Sequence, residues 1–425
     1  MGAKTVVEKI FSRACGGEVE AGEIVNANVD CLMTMDMLGP IAFQLFEQLD
    51  PPKIWDPDKV VMVMDHLVLG HNQKDAEMIS KFREYAKKYN IKNFFDLGFH
   101  GICHQVMVEE GFVKPGMVVV GTDSHATTYG AMGAFGCGVS TSEAAVVMAT
   151  GKIWFRVPES IRVILHGKLP FGVYGKDVGL KLVEILKCDE VALYKAIEIC
   201  GEGVESLSID DRMAICNMMA ETGAKNCIIA ADSLTLSYLR EIGVTDRNDI
   251  VSSDEGAQYD EEFAINLNDL SPLVAVPHLT SDVHPVKELE GTKINHVFLG
   301  SCTSGRLEEI GIAARILKGK RIANDVRMIV VPSSQKIYRQ ALKLGYVESL
   351  VDAGAIFETS SCASCGGKHT GVLASGTICI STTNRNFQGR MGSKESYIYL
   401  ASAATAAAAA LTGCITDPRP FIMEG

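Results

Sequence analysis

Short apolar runs rich in valine and isoleucine alternate along this chain with longer stretches that have helical spacing. This alternation is typical of parallel sheets built from strand–helix–strand units, so it predicts an α/β fold. The clearest runs are VVMVM, MVVVG, HVFLG, MIVVP, AIFETSS and TICISTT. At 425 residues the chain is long enough for two or three domains.

Polar side chains follow these runs where each strand is expected to end. They are Asp65-His66, Thr122-Asp123-Ser124-His125, Ser301-Cys302-Thr303, Ser333-Ser334, Cys362 to Gly367, and Asn384 to Arg390. In open α/β sheets, ligands bind beyond the carboxyl ends of the strands. We therefore expect these segments to contribute to one site.

The 13 cysteines are spread through apolar segments, which argues against a secreted disulfide framework and favours a reducing cytoplasm. Most of them, such as Cys216 and Cys379, fit small buried side chains. Only Cys302, Cys362 and Cys365 stand in polar, glycine-rich segments.

Cys362 and Cys365 form a C-x-x-C motif. Thiolates in such loops bind zinc, bind an iron–sulfur cluster or act as a redox pair, and spacing alone leaves these alternatives open. For zinc, His369 is the candidate fourth ligand. With a cluster, three thiolates would leave one iron without a protein ligand, and an open metal position is what a catalytic site keeps for its substrate.

Two motifs, Asp65-His66 and Asp123-Ser124-His125, place a carboxylate beside an imidazole. Local turn hydrogen bonds explain either motif taken alone, and His104 alone fits a core histidine. Three histidines that converge near strand ends instead favour acid–base chemistry, because a histidine oriented by a carboxylate is the usual general acid or base near neutral pH.

Arg385 and Arg390 lie in a glycine-containing turn after a predicted buried strand. A solvated pair is the alternative, but guanidinium forks bind carboxylates bidentately, which predicts an anionic small-molecule ligand. The net charge of −12 and the absence of a basic run argue against nucleic-acid binding. The longest run of small and apolar residues, 401–411, is shorter than the ~20 apolar residues that a membrane span needs.

The segments GICHQV, GTDSHATTYGA, ATGKIWF, ICNMMAETGAKN, GSCTSGRLE and STTNRNFQGRMGS together resemble the aconitase superfamily, and the similarity extends from about Val6 to Pro418. It is greatest for large subunits of the isopropylmalate dehydratase and homoaconitase branch. The resemblance implies an aconitase-type α/β fold with three doubly wound α/β domains arranged around an iron–sulfur cluster. Domains 1 and 2 are expected in residues 1–287, and the cluster-binding domain 3 in residues 288–425.

The resemblance also implies roles for individual residues. One [4Fe–4S] cluster would be held by Cys302, Cys362 and Cys365. The acid–base network would consist of Asp65, His66, His104, Asp123 and His125, with Glu221 near the bound water or substrate. Substrate carboxylates would be bound by Arg385 and Arg390, with Ser124, Asn217 and Asn384 as further contacts.

The implied activity is that of a hydro-lyase that dehydrates or isomerises a branched 2-hydroxy dicarboxylate, above all isopropylmalate in leucine biosynthesis. Homoaconitate, methylmalate and 2,3-dimethylmalate are the alternative substrates, and a non-catalytic RNA-binding relative is a further alternative. The similarity ends before the mobile fourth domain of single-chain aconitases. We therefore expect a small-subunit partner, in a heterodimer or heterotetramer, and no activity from this chain alone.

Three positions depart from the pattern of the superfamily. Met35 stands where relatives carry an amide or a histidine, and Ser304 replaces the usual asparagine after the first cysteine. Ala363 and Ser364 replace a glycine-led pair between the other two cysteines. Because a thioether replaces a polar group at Met35, we expect a less polar substituent on the substrate.

Overall fold

The computed structural model describes residues 2–187, 190–245 and 250–422. The chain divides into two compact units. Unit 1 comprises Met1–Leu97, Cys103–Gly167 and Glu190–Ile265, and unit 2 comprises Gly98–Ile102, Lys168–Asp189 and Asn266–Gly425. Each unit contains its own cluster of buried apolar side chains. The predicted division between residues 287 and 288 is a different partition and stays a prediction.

The strands are β1 (Ile24–Asn28), β2 (Cys31–Met35), β3 (Val60–Val63), β4 (Phe94–Phe95), β5 (Val118–Gly121), β6 (Phe135–Gly138), β7 (Lys152–Arg156), β8 (Ser160–His166), β9 (Ala196–Cys200), β10 (Asn226–Ile229), β11 (Glu261–Asn266), β12 (Leu273–Ala275), β13 (Val283–Pro285), β14 (His296–Leu299), β15 (Arg327–Val330), β16 (Ile356–Phe357), β17 (Ile378–Ser381) and β18 (Tyr397–Ala401). The α-helices are α1 (Val6–Cys15), α2 (Gly39–Gln48), α3 (Gln73–Lys88), α4 (Cys103–Glu109), α5 (Thr141–Thr150), α6 (Gly175–Lys187), α7 (Ile209–Met218), α8 (Ser233–Glu241), α9 (Val286–Leu289), α10 (Leu307–Leu317), α11 (Gln335–Lys343), α12 (Tyr346–Asp352) and α13 (Ala403–Thr412).

Unit 1 contains a five-stranded parallel sheet in the order β4-β3-β2-β5-β6. The chain moves outward from β2 through β3 to β4 and then returns to the other side of β2 as β5. Such a reversal of strand order opens a crevice at the carboxyl ends of the central strands. The unit also contains a four-stranded sheet, β10-β9-β8-β11, and an antiparallel pair, β1-β7.

Unit 2 is built on a seven-stranded sheet in the order β13-β12-β18-β17-β14-β15-β16. The five strands from β18 to β16 are parallel, and β12 and β13 add an antiparallel edge. Strand order reverses at β14, which has β15 on one side and β17 on the other. The segments after β14 and β17 therefore leave the sheet side by side.

The predicted α/β class is confirmed, and each of the six apolar runs contains a strand: β3, β5, β14, β15, β16 and β17. These strands form because short runs of β-branched residues can be buried on both faces of a parallel sheet. The alanine-rich segment is the buried helix α13, which ends at Gly413 in the left-handed conformation. None of the helices that the structure describes is long and apolar enough to cross a membrane.

One glycine shows how closely a 3-10 helix of unit 1 is packed against the neighbouring sheet. Gly130 lies in the 3-10 helix Ser124–Met132, and a Cβ atom there would stand 1.5 Å from the carbonyl oxygen of Cys227 at β10. Any side chain at this position would push the 3-10 helix away from the strand. The glycine-rich run 129–138 therefore serves close backbone packing.

Candidate active site

The first group of candidate residues follows the adjacent strands β3, β2 and β5. Asp36, directly after β2, is fully buried, and its carboxylate accepts hydrogen bonds from the backbone N–H groups of Asp65 (3.0 Å), His66 (2.9 Å) and Leu67 (2.8 Å). Burial raises the pKa of Asp36 to about 6. Asp36 therefore fixes the loop after β3 and orients the Asp65-His66 pair.

Asp65 and His66 form an ion pair in this loop. The Nδ1 atom of His66 lies 3.4 Å from Oδ2 of the buried Asp65, and the same oxygen accepts a 3.0 Å hydrogen bond from the backbone N–H of Cys103. Burial acts to lower the pKa of His66, but the charges of Asp65, Asp123 and Asp36 outweigh it and raise the pKa to about 10. Burial acts to raise the pKa of Asp65, but the charge of His66 outweighs it and lowers the pKa. The pair is therefore an imidazolium and a carboxylate at neutral pH.

Asp123 is the centre of a second network. Its Oδ1 atom accepts hydrogen bonds from Nε2 of His104 (2.8 Å) and from the backbone N–H of His125 (2.9 Å). Burial acts to raise the pKa of Asp123, but the hydrogen bonds from His104 and His125 outweigh it and lower the pKa well below its ordinary value. The hydroxyl of Tyr129 lies 3.2 Å from Nδ1 of His104, and burial keeps the pKa of this phenol high. Nε2 of His104 therefore faces the carboxylate of Asp123, and Nδ1 faces the hydroxyl of Tyr129.

His125 extends this network to a second carboxylate. Its Nε2 atom lies 2.8 Å from Oε1 of Glu221, and its Nδ1 atom lies 3.2 Å from the hydroxyl of Ser124. The carbonyl oxygen of His125 accepts a 2.6 Å hydrogen bond from Thr128, whose hydroxyl accepts a 2.9 Å bond from the side-chain amide of the buried Asn217. The ring is therefore held on both sides, which fixes the direction in which it can exchange a proton.

Unit 1 thus brings most of the predicted acid–base and contact residues together through direct contacts: Asp65, His66, His104, Asp123, Ser124, His125 and Glu221. Asn217 joins them through Thr128. Met35 is buried at the end of β2, directly before Asp36. Imidazoles oriented by carboxylates can hold and transfer protons near neutral pH. The individual roles of these residues remain predictions.

The second group of candidate residues lies in unit 2. Cys302 follows β14, and Cys362 and Cys365 follow β16 around a short 3-10 turn. The three thiols are buried, and none of the cysteines that the structure describes is in a disulfide. The side-chain amide of Asn384, after β17, has Nδ2 3.2 Å from Sγ of Cys302 and Oδ1 3.9 Å from Sγ of Cys365. One amide therefore contacts thiols from two separate loops.

Arg390 lies beside the same thiols, with Nη2 3.6 Å from Sγ of Cys365. Burial acts to lower the pKa of this guanidinium, but the three cysteine thiols outweigh it and raise the pKa. Arg385 directly follows Asn384 and is half-buried. The structure therefore places Arg390 at the cysteines and Arg385 on the loop that carries Asn384.

Arg306 is a buried cation that the sequence analysis did not single out. Its guanidinium donates to the carbonyl oxygens of Cys302 (2.8 Å) and Thr303 (2.9 Å). These two bonds fix the backbone of the first cysteine loop. The signal in the sequence was the arginine that ends the motif SCTSGR directly before helix α10.

Lys176 has a corresponding role at the other side of β14. It is buried on helix α6, and its ammonium donates to the carbonyl oxygens of Thr382 (3.3 Å) and Thr383 (2.6 Å). These carbonyls belong to the segment that ends in Asn384. Because Lys176 and Thr383 are 207 residues apart, no local pattern could have indicated this contact.

The chemistry of the cysteines fits an iron–sulfur cluster. Cysteine thiolates are the donors that iron–sulfur clusters use. In addition, the hydroxyls of Ser304 and Ser364 on the cysteine loops are buried without a hydrogen-bond partner in the described part of the chain, as expected beside a further polar group.

Comparison with known proteins gives a consistent result over nearly the whole chain. Residues 8–413 match the protein family described as "Aconitase family (aconitate hydratase)". The 3-isopropylmalate dehydratase large subunit 1 of Methanopyrus kandleri is 47% identical over 419 residues, which cover 99% of this chain and 100% of the relative. The protein of the same name from Archaeoglobus fulgidus is 46% identical over 419 residues, covering 98% of this chain and 99% of the relative.

A solved structure resembles the fold at much lower sequence identity. The holo form of Thermococcus kodakaraensis aconitase X superposes with a TM-score of 0.52 and 14% identity, covering 88% of this chain and 89% of that chain. This likeness concerns the fold alone.

Proposed function

Because the chain belongs to the aconitase family, we propose that it is the large subunit of a [4Fe–4S] hydro-lyase whose substrate is 3-isopropylmalate. The observation that supports this choice of substrate is the sequence identity to dehydratase large subunits along nearly the full length of both chains. The reaction would be the dehydration of a branched 2-hydroxy dicarboxylate and rehydration of the alkene in the other sense, a step of leucine biosynthesis in the cytoplasm. Homoaconitate, methylmalate and 2,3-dimethylmalate are the alternative substrates.

Membership of the family implies an iron–sulfur cluster, and Cys302, Cys362 and Cys365 are the ligands that we propose for one [4Fe–4S] cluster per chain. A cluster with one iron free of protein ligands supplies a Lewis acid for a hydroxyl and a carboxylate of the substrate. Arg306 and Lys176 hold the backbone of the ligand loop and of the Asn384 loop, which preorganises the thiols before the cluster binds.

The substrate carboxylates are assigned to Arg385 and Arg390. A guanidinium offers two parallel N–H donors to a carboxylate, and such charged hydrogen bonds contribute about 1.5–3 kcal/mol each. As the α-proton leaves, negative charge develops on one carboxylate, which a positioned arginine stabilises more than it stabilises the ground state. Ser124, Asn217 and Asn384 supply the further polar contacts that fix the orientation of the substrate.

Proton transfer is assigned to the imidazoles and carboxylates of unit 1. His66 retains its proton at neutral pH, since its pKa is raised to about 10, so it can donate a hydrogen bond to a leaving hydroxyl. Asp123 stays ionised and holds His104 by its Nε2 proton. Glu221 and Nε2 of His125 share one hydrogen bond. This pair can accept a proton from a bound water or donate one to a bound hydroxide.

A small-subunit partner is part of this proposal. The relatives are named as large subunits. The proposed chemistry also needs further carboxylate-binding groups and a site closed to water, and the residues assigned above do not provide these. A nucleic-acid partner is not proposed, because the net charge of −12 opposes phosphate binding.

The test is an anaerobic assay of the reconstituted chain with and without the small subunit. The panel is 3-isopropylmalate, 2,3-dimethylmalate, citramalate and homoaconitate, followed through the absorbance of the alkene. We expect the highest kcat/KM for 3-isopropylmalate with the mixture and no turnover by this chain alone. A higher kcat/KM for another member of the panel would contradict 3-isopropylmalate as the substrate. Equal rates with and without the small subunit would refute the need for a partner.

A further inference from the structure

The two loops that carry the cysteines contain several hydroxyl groups, and they fall into two classes. Most are used within the protein: the Ser301 hydroxyl lies 3.0 Å from that of Thr303, and the Ser361 hydroxyl accepts a 3.2 Å bond from the backbone N–H of Ala363. Ser304 and Ser364 differ. Their exposed fractions are 1% and 0%, and neither hydroxyl has a hydrogen-bond partner among the described residues.

Both serines lie next to proposed cluster ligands. Ser304 is two residues after Cys302, and Ser364 stands between Cys362 and Cys365. Burial of a hydroxyl without a partner costs free energy, so such groups are rare in native proteins unless an additional group satisfies them. The hydroxyl of Ser333 likewise has no partner within residues 2–187, 190–245 and 250–422, but Ser333 follows β15 and is on neither loop.

We propose that Ser304 and Ser364 are positioning residues whose hydroxyls donate hydrogen bonds to the sulfur atoms of the cluster or of its thiolate ligands. This inference rests on the cluster of the proposed function, but not on the substrate or the partner. Hydrogen bonds to sulfur stabilise the more negatively charged, reduced state of a cluster and so raise its reduction potential. The two serines therefore protect the cluster against oxidation.

The variants Ser304→Ala and Ser364→Ala remove only the hydroxyl oxygen. In the apoprotein they leave the unfolding temperature unchanged or raise it, because neither hydroxyl bonds to any residue that the structure describes. In the cluster-loaded protein each variant shifts the reduction potential to more negative values, and the double variant shifts it further. Loss of the visible absorbance in air becomes roughly 10-fold faster, the lower end of the effect of residues that support metal ligands.

Ser160→Ala is the matched control, because Ser160 on β8 of unit 1 also has a buried hydroxyl with no partner in the part of the chain that the structure describes. It should leave the potential and the bleaching rate unchanged. Ser304→Thr retains the hydroxyl and should keep the potential closer to the wild-type value than Ser304→Ala does. This contrast separates a hydrogen bond from a change in packing.

A second measurement needs no stable variant. Pulsed EPR of the reduced wild-type protein in H2O and D2O should detect exchangeable protons coupled to the cluster, and Ser304→Ala and Ser364→Ala should each remove one such signal. Unchanged potentials, bleaching rates and proton couplings in cluster-loaded variants would overturn the inference and place water beside the two hydroxyls. A wild-type chain that binds no cluster would instead refute the proposed function.

Discussion

The histidine network of unit 1 and the cysteine loops of unit 2 differ in the chemistry of their contacts. In unit 1, hydrogen bonds of 2.8 Å join His104 to Asp123 and His125 to Glu221. In unit 2, the side chains of Asn384 and Arg390 lie 3.2 Å from Sγ of Cys302 and 3.6 Å from Sγ of Cys365. Unit 1 therefore offers groups that hold and transfer protons, whereas unit 2 offers thiols that suit a metal group.

The largest expected effect is the loss of the cluster when a cysteine ligand is removed. Cys302→Ser, Cys362→Ser or Cys365→Ser should each abolish iron and sulfide binding and turnover, because oxygen replaces a thiolate that iron requires. Iron analysis and the visible spectrum measure this.

Cys216→Ser in unit 1 and Cys379→Ser in unit 2 are the controls, since both thiols are buried and neither is a proposed ligand. Loss of the cluster in a control but not in Cys302→Ser would break the comparison between the two units.

The next effect concerns the substrate carboxylate. Arg385→Lys keeps the charge but removes the planar fork, so kcat/KM should fall by about 10- to 100-fold, the equivalent of the 1.5–3 kcal/mol of a charged hydrogen bond. The cluster content should not change. Arg315→Lys, at an exposed position of α10, is the matched substitution and should keep the wild-type rate. Unchanged kinetics for Arg385→Lys would place Arg385 outside the substrate site.

A smaller effect is expected from the lysine that holds the Asn384 loop. Lys176→Met removes the donor to the carbonyls of Thr382 and Thr383, which should lower the free energy of unfolding by about 1.5–3 kcal/mol. Urea unfolding of the apoprotein measures this change. Lys181→Met, on the same helix but paired with Glu184 at the surface, should change stability by less than about 0.5 kcal/mol. Equal effects of the two substitutions would contradict the positioning role of Lys176.

The last effects concern the pH dependence of stability, and they have opposite signs in the two units. The pKa of His66 in unit 1 is raised to about 10, so its contribution is fully present below the unfolded value near 6.5 and is lost as pH rises through 10. Burial lowers the pKa of His296 in unit 2 to about 4, so stability is lost as pH falls from 6.5 to 4. His66→Gln should therefore reduce the alkaline loss and His296→Gln the acid loss, measured by urea unfolding at each pH. If His66→Gln instead reduced the acid loss and His296→Gln the alkaline loss, the ion pair of His66 would not be formed in solution.

The sequence predicted the strands and the residues at their ends, because a parallel sheet brings the carboxyl ends of its strands to one edge. Asp65, Asp123 and Cys302 could be found in this way. The three backbone hydrogen bonds of Asp36 could not, since they depend on the register of β2 against β3. The contact of Lys176 with Thr383 could not be predicted either, because it joins residues 207 positions apart. Local patterns therefore located the chemical groups but not the buried residues that hold them.

The most direct test of the central claim is the iron and sulfide content of the wild-type chain purified without oxygen. The match to the aconitase family and the three buried thiols of Cys302, Cys362 and Cys365 lead us to expect brown protein with close to four irons and four sulfides per chain. Colourless protein with one zinc and no sulfide would contradict the claim and would support a structural zinc site instead.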